Sequence, residues 1–181
     1  MFRFPYLSID IETTGLDRQK VHVLQLAAVY DNGKDLDELP TFNKVIKWPV
    51  ISHAEEYAMN LNKGLLERAF KKQNIVSINQ CRDEFRKWLL EIEPAKSSRF
   101  TPAGKNIQGF DIPILENPVN QFFFDRFLRR TLDPGSLYSD EFDHIPTLDE
   151  INKLTGRDAV SHDALDDAWD VVYAIRRKWD V

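Results

Sequence analysis

Near the start of the chain, Asp10 and Glu12 close an apolar stretch that runs Ser8-Ile9-Asp10-Ile11-Glu12. Alternate residues of a strand point to one face, so the two carboxylates project together while Ile9 and Ile11 take the other side. Neighbouring carboxylates repel, which costs stability unless something neutralises them. A hard divalent cation such as Mg²⁺ or Mn²⁺ is suited to oxygen donors on a rigid strand. The same spacing also fits the solvated face of an edge strand. The sequel Thr13-Thr14-Gly15-Leu16 shifts the balance. A glycine turn beside the carboxylates offers backbone N–H groups to a phosphate or a terminal sugar, and Leu16 offers apolar contact to a base.

A second acidic cluster, Ser161-His162-Asp163-Ala164-Leu165-Asp166-Asp167, opens the last segment. Asp163 reads as the N-cap of a helix. At about 100° per residue, Ala164, Leu165, Ala168, Val171, Val172, Ile175 and Trp179 share the face that packs on a sheet. Asp167 lies at the edge of that face. Asp166 and Asp170 are expected to point nearly opposite, into solvent. Small Ala side chains beside Asp167 allow close approach to the strand carrying Asp10. His162, in the loop five residues before Asp167, can reach past the helix N-terminus. Asp111 follows Gly104 to Phe110 and is explained equally well as a first-turn helix carboxylate. His22, His53 and His144 have no comparable neighbours and read as structural.

The elements that would carry these residues follow from pattern and punctuation. Phe4–Asp10, His22–Tyr30 and Thr41–Trp48 read as three strands in an antiparallel meander, separated by turn signals. The period then becomes helical over Asn62–Lys72 and over Ser77–Glu91, the latter opening with Ser77 and Gln80 in capping-box spacing. Ser98–Ala103 is expected as a short strand, and Phe110–Asn117 and Val119–Phe127 as helices broken at Pro118. Arg129–Leu132 is expected as a last strand. Thr147 with Glu150 marks another helix start and Gly156 its end. Asp163–Trp179 is the clearest helix. Phe122, Phe123 and Phe124 read as packing residues, since three adjacent aromatics cannot share one face. Strands first and alternating elements later predict an α/β domain with a mixed sheet, as a single domain over residues 1–181.

Composition narrows the class. A formal charge of −5 argues against a broad basic surface for long duplexes, though bound cations would reverse the sign at a carboxylate cluster. The lone Cys81 excludes an internal disulfide and reads as a buried small side chain. No run approaches the roughly 18 apolar residues of a membrane span. The first residues lack the features of a secretory signal, so the cytoplasm is the expected location and no membrane partner is expected.

Asp10-Ile11-Glu12-Thr13-Thr14-Gly15-Leu16, then Asn106 through Phe110-Asp111, then His162 with Asp167, together resemble the three motifs of the DEDDh exonuclease family. That family includes polymerase proofreading exonucleases, oligoribonucleases and the tRNA-trimming ribonuclease T. The resemblance runs from about Phe4 to Lys178, and is close at the motifs and vague between residues 31 and 100. Lys105 departs from it, because many members have histidine there. The resemblance implies an RNase H-like α/β fold, a five-stranded mixed sheet flanked by helices. It implies a 3′→5′ exonuclease that uses two Mg²⁺ or Mn²⁺ ions to release nucleoside 5′-monophosphates. Asp10, Glu12 and Asp167 would hold one ion, Asp10 and Asp111 would share the second, and His162 would be the general base. Thr13, Thr14, Gly15, Leu16, Asn106 and Phe110 would contact the substrate. The expected substrate is the 3′ end of single-stranded nucleic acid, with DNA slightly favoured over RNA. The alternatives are an oligoribonuclease-like enzyme on short RNA and a catalytically silent nucleic-acid-binding domain. A monomer or homodimer is expected, and polymerase association is not indicated.

Overall fold

Strand β1 (Tyr6–Thr13) pairs antiparallel with β2 (Val23–Asp31), which pairs antiparallel with β3 (Thr41–Lys47). This is the expected meander. Short helices α1 (Glu56–Leu61) and α2 (Lys63–Lys72) follow, then a three-residue strand β4 (Ile75–Ser77) parallel to β3. Helix α3 (Ile78–Ile92) begins where Ser77 Oγ accepts the Gln80 N–H. Strand β5 (Pro102–Ala103) lies parallel to β1. Helices α4 (Asp111–Glu116), α5 (Pro134–Leu137), α6 (Leu148–Thr155) and α7 (Ala164–Trp179) complete the order. This computed structural model describes residues 1–72, 75–95, 99–122 and 125–181. Among the described residues the mixed sheet has five strands in the order β4-β3-β2-β1-β5.

Alternation along β1 divides the interior. Leu7, Ile9 and Ile11 enter a core shared with α3 and α4, while Tyr6 enters a second core with Val171, Val172 and Ile175 of α7. Helix α7 comes close enough to β1 for Ser8 Oγ to donate to the carbonyl of Ala168 at 2.8 Å. The fully buried Ala164 and Ala168 permit that approach. Farther along, Arg176 makes a two-pronged ion pair with buried Asp31 of β2, and Tyr6 Oη donates to the same carboxylate at 2.7 Å. Burial works to raise the Asp31 pKa, but the hydrogen bonds from Arg176, Gly33 and Tyr6 hold it below the usual range.

Four expectations need correction. Residues 119 and 120 form a turn and Phe127 bridges to Phe100, so the described part of Val119–Phe127 is not helical. The reason is local: Asn117 Oδ1 accepts from the Val119 and Asn120 N–H groups, and the buried Asn120 carboxamide bonds to Val23, Val21 and Ile114. Such side-chain bonds compete with the helix ladder. Phe122 is buried in the core, whereas Phe123 and Phe124 lie outside the described residues. Between residues 98 and 103 only Pro102–Ala103 is a strand, and Ser98 lies outside the described residues. The Arg129–Leu132 stretch contributes one bridge, Leu132 to Ala103. Finally, Asp170 is buried rather than solvated, because α6 covers a second face of α7. Asn152 Nδ2 donates to it at 2.6 Å and Arg157 donates two bonds at 2.7 and 2.9 Å. Among the described residues no helix is long and apolar enough to cross a membrane.

Candidate active site

Strand pleat puts Ser8, Asp10 and Glu12 on the face of β1 that meets α7. Glu12 is buried and Asp10 partly so. The register of β1 on β2 slips between Glu12 and Thr13, so the carboxylate pair sits just before an irregularity that turns the chain away. Asp163 caps α7 through the Leu165 N–H, and buried Asp167 stands one turn inside. His162 lies immediately outside, in the left-handed region at φ 54°, with its side chain exposed. Ser161 N–H donates to Asp167 Oδ1 at 3.1 Å and fixes that oxygen. Donor atoms of Glu12, His162 and Asp167 all lie within 4.8 Å of one another. Asp111, the first residue of α4, is buried and lines the same cavity of about 380 Å³ as Asp10, Glu12 and Asp167.

The electrostatics are lopsided. Burial pushes Glu12 up to about 7, with Asp167 and Asp163 adding repulsion and the Asn62 amide easing it. Burial likewise raises Asp167 to about 6, with Asp170 and Asp166 adding repulsion and the Ser161 N–H and His162 opposing it. Asp111 is pushed up to about 8 by burial, which outweighs the backbone N–H groups of Ile11 and of Asp111 itself. Asp10 is raised well above the usual carboxylate range, first by burial and then by Asp111, Asp167 and Glu12 in turn. Among the described residues no lysine or arginine forms an ion pair with any of these four. Among the described residues, Lys105 is the one Lys or Arg that lines the cavity. Four crowded oxygen donors and a nearby imidazole, lacking a protein counter-charge, make a donor set that a divalent cation fits.

The expected substrate contacts divide. Thr13, Gly15, Leu16, Asn106 and Phe110 all line the cavity. Thr14 does not: it is fully buried, with its N–H donating to the His22 carbonyl and its hydroxyl accepting the His22 N–H. These two bonds brace the loop against His22. Thr13 spends its hydroxyl on the Gly15 carbonyl at 2.7 Å. Asn106 takes the left-handed conformation at φ 49°, held by its N–H bond to Asp133 Oδ2 at 2.8 Å.

Two supporting residues were not anticipated. Gln25 on β2 is almost fully buried and accepts the Ala164 N–H while donating to Asp163 Oδ1 and Asn43 Oδ1. It thereby docks the N-terminus of α7 against the sheet. A glutamine inside the otherwise apolar Val23–Tyr30 run was the available signal. Asn62, also buried, donates to the Thr13 carbonyl at 3.1 Å, and nothing in its sequence context marked it.

Comparison with known proteins bears on the family and the fold. A family model described as Exonuclease, of the RNase T type, matches residues 7–174. No curated protein matches the sequence. Among solved structures, the nuclease domain of 3′hExo, described as a DEDDh family member bound to rAMP, superposes with a TM-score of 0.71 at 12% identity, covering 97% of this chain and 92% of that one. The cell-death related nuclease 4 gives 0.68 at 16% identity over 97% of this chain and 64% of its own. E. coli exonuclease I, in complex with a dT13 oligonucleotide, gives 0.67 at 15% identity over 99% of this chain and 42% of its own. These likenesses establish the RNase H-like fold expected from sequence. The chain spans under two thirds of the length of the last two.

Proposed function

The chain belongs to the DEDDh 3′→5′ exonuclease family, and from that premise we propose that it removes nucleoside 5′-monophosphates one at a time from the 3′ end of single-stranded nucleic acid. The observation that carries the reading is the meeting of Glu12, His162 and Asp167 within 4.8 Å, beside Asp10 and Asp111 in one cavity. Asp10, Glu12 and Asp167 would hold one divalent cation, and Asp10 with Asp111 would hold a second. Mg²⁺ or Mn²⁺ in such a pair supplies charge stabilisation to the attacking and leaving oxygens and acidifies water.

The chain's own residues do the rest. A ring nitrogen of His162 takes the proton from the water whose oxygen bonds to phosphorus, as the P–O3′ bond breaks. An imidazole suits this task because its ordinary pKa lies near neutrality. Exposure at the helix mouth lets the ring pass that proton on to solvent. The leaving 3′ oxygen is protonated from water, which yields a mononucleotide and a chain one unit shorter. Leu16 and Phe110 present apolar surface to the terminal nucleotide, and Gly15 and Asn106 line its approach.

Single-stranded DNA is the favoured substrate in this reading. Exonuclease I, which has the same fold, is seen with an oligo-dT strand, and a net charge of −5 suits a strand threaded by its end over a duplex gripped along its length. RNA has support too, since 3′hExo is seen with rAMP. The test is a comparison of 5′-labelled single-stranded DNA, RNA and two- to five-nucleotide RNA with Mg²⁺ or Mn²⁺. Stepwise shortening from the 3′ end, stopped by a chelator, is expected on DNA first. Faster shortening of RNA would reverse the polymer assignment, and no shortening of any polymer would sink the enzyme.

A further inference from the structure

Leu16 projects into the candidate site with 66% of its surface exposed, so packing does not hold it in place. Whatever fixes it must act on the backbone. Glu55 does so twice. Its own N–H donates to the Thr14 carbonyl at 2.7 Å, and its carboxylate Oε1 accepts the Leu16 N–H at 2.9 Å. The Asp17 N–H faces the same carboxylate. The loop also fits this one side chain closely. A Cβ placed on Gly15 would fall 2.5 Å from Glu55 Oε1, so glycine is the residue that leaves room for the carboxylate. His53 Nε2 stands 3.6 Å from that oxygen on its other side.

Glu55 immediately precedes α1, whose Tyr57 and Leu61 lie one turn apart and line the same cavity as Leu16. Tyr57 is 73% exposed, again without packing to hold it. One carboxylate therefore joins the loop bearing Leu16 to the helix bearing Tyr57.

We propose that Glu55 is a positioning residue for the exonuclease, setting the width of a slot between Leu16 and Tyr57 that grips the terminal base. This rests on the function proposed above, with Glu55 acting through Leu16 and touching neither phosphate nor cation. A negative charge beside a polyanion's path ordinarily weakens binding, so the hydrogen bond to Leu16 is what Glu55 contributes here.

Glu55→Ala and Glu55→Gln separate the two effects, because glutamine keeps an acceptor oxygen and loses the charge. On the polymer that the parent degrades, Glu55→Ala is expected to raise KM about tenfold, near the value of one hydrogen bond to a charged group, with kcat changed less. Glu55→Gln is expected to return KM to within about twofold of the parent. Gly15→Ala should displace the carboxylate and reproduce Glu55→Ala, and the double variant should be no worse than either single one. Equal KM values in the Ala and Gln variants would overturn the proposal, as would a fall in KM on removing the charge. Amide hydrogen exchange at Leu16, followed by NMR, gives a readout independent of turnover. Faster exchange in Glu55→Ala than in Glu55→Gln supports the clamp even if the parent proves inactive on every polymer, whereas equal exchange removes it.

Discussion

At the residue scale the site is five side chains with two kinds of task. Asp10, Glu12, Asp111 and Asp167 line one cavity as an oxygen cage whose members repel each other, and exposed His162 beside it is the proposed proton carrier. Asp10→Asn should abolish hydrolysis while raising the melting temperature of the chelated protein near neutral pH, since it removes a carboxyl group whose ionisation burial and four neighbours oppose. Thermal unfolding in chelator, alongside an end-labelled assay, checks both halves; undiminished turnover would end the ligand assignment. His162→Ala should slow the reaction by roughly 10²–10⁴-fold at saturating cation, the ordinary range for losing a general base. Its pH–rate profile should also differ in shape from the parent's. A profile of unchanged shape would take the proton-transfer role away from His162.

At the element scale, caps and alternation were readable because their physics is local. The Thr147–Glu150 capping box, the left-handed Gly156 after α6 and the Asp163 cap of α7 all stand where the spacing placed them. So does the pleat that throws Asp10 and Glu12 to one face of β1. What escaped the sequence depends on partners distant in the chain. Asp170 resembled Asp166 in every local respect, yet Asn152 and Arg157 of a separate segment enclose it. Thr14 resembled its neighbour Thr13, and only the pairing with His22 shows that it turns inward. Asn117 and Asn120 gave no warning that they would spend their side chains on the backbone and stop a helix. The contrast between the two aspartates can be measured. Asp170→Ala is expected to cost about 2–3 kcal/mol by removing the acceptor for three buried or partly buried donors, and Asp166→Ala less than about 0.5 kcal/mol. Denaturant titration of the two variants decides it; equal losses would contradict the buried network.

At the scale of the whole molecule, the cage and the Asp31–Arg176 pair pull stability in opposite directions with pH. Asp31 has a depressed pKa, so its contribution is present above the unfolded carboxylate range and is lost as pH falls through its folded value. Asp167, Glu12 and Asp111, raised to about 6, 7 and 8, behave in reverse. Their folded forms hold protons that the unfolded chain has released, so each costs stability as pH rises from the unfolded range near 4 through the folded value. A divalent cation competes with those protons and binds the folded state. The melting temperature should therefore gain more from added Mg²⁺ or Mn²⁺ at about pH 8 than at about pH 5. Equal gains at both values would place the bound cation elsewhere.

The cage draws Asp10 from the first strand and Asp167 from the last helix, clasped by Ser8 and Ala168. Contacts between segments so far apart in sequence close late, after the loop entropy between them has been overcome. During synthesis, a chain still lacking α7 carries three of the four carboxylates on an unfinished scaffold and has no cage at all. Until α7 docks, Asp167 stands apart from the other three carboxylates, and whatever the four do together cannot begin.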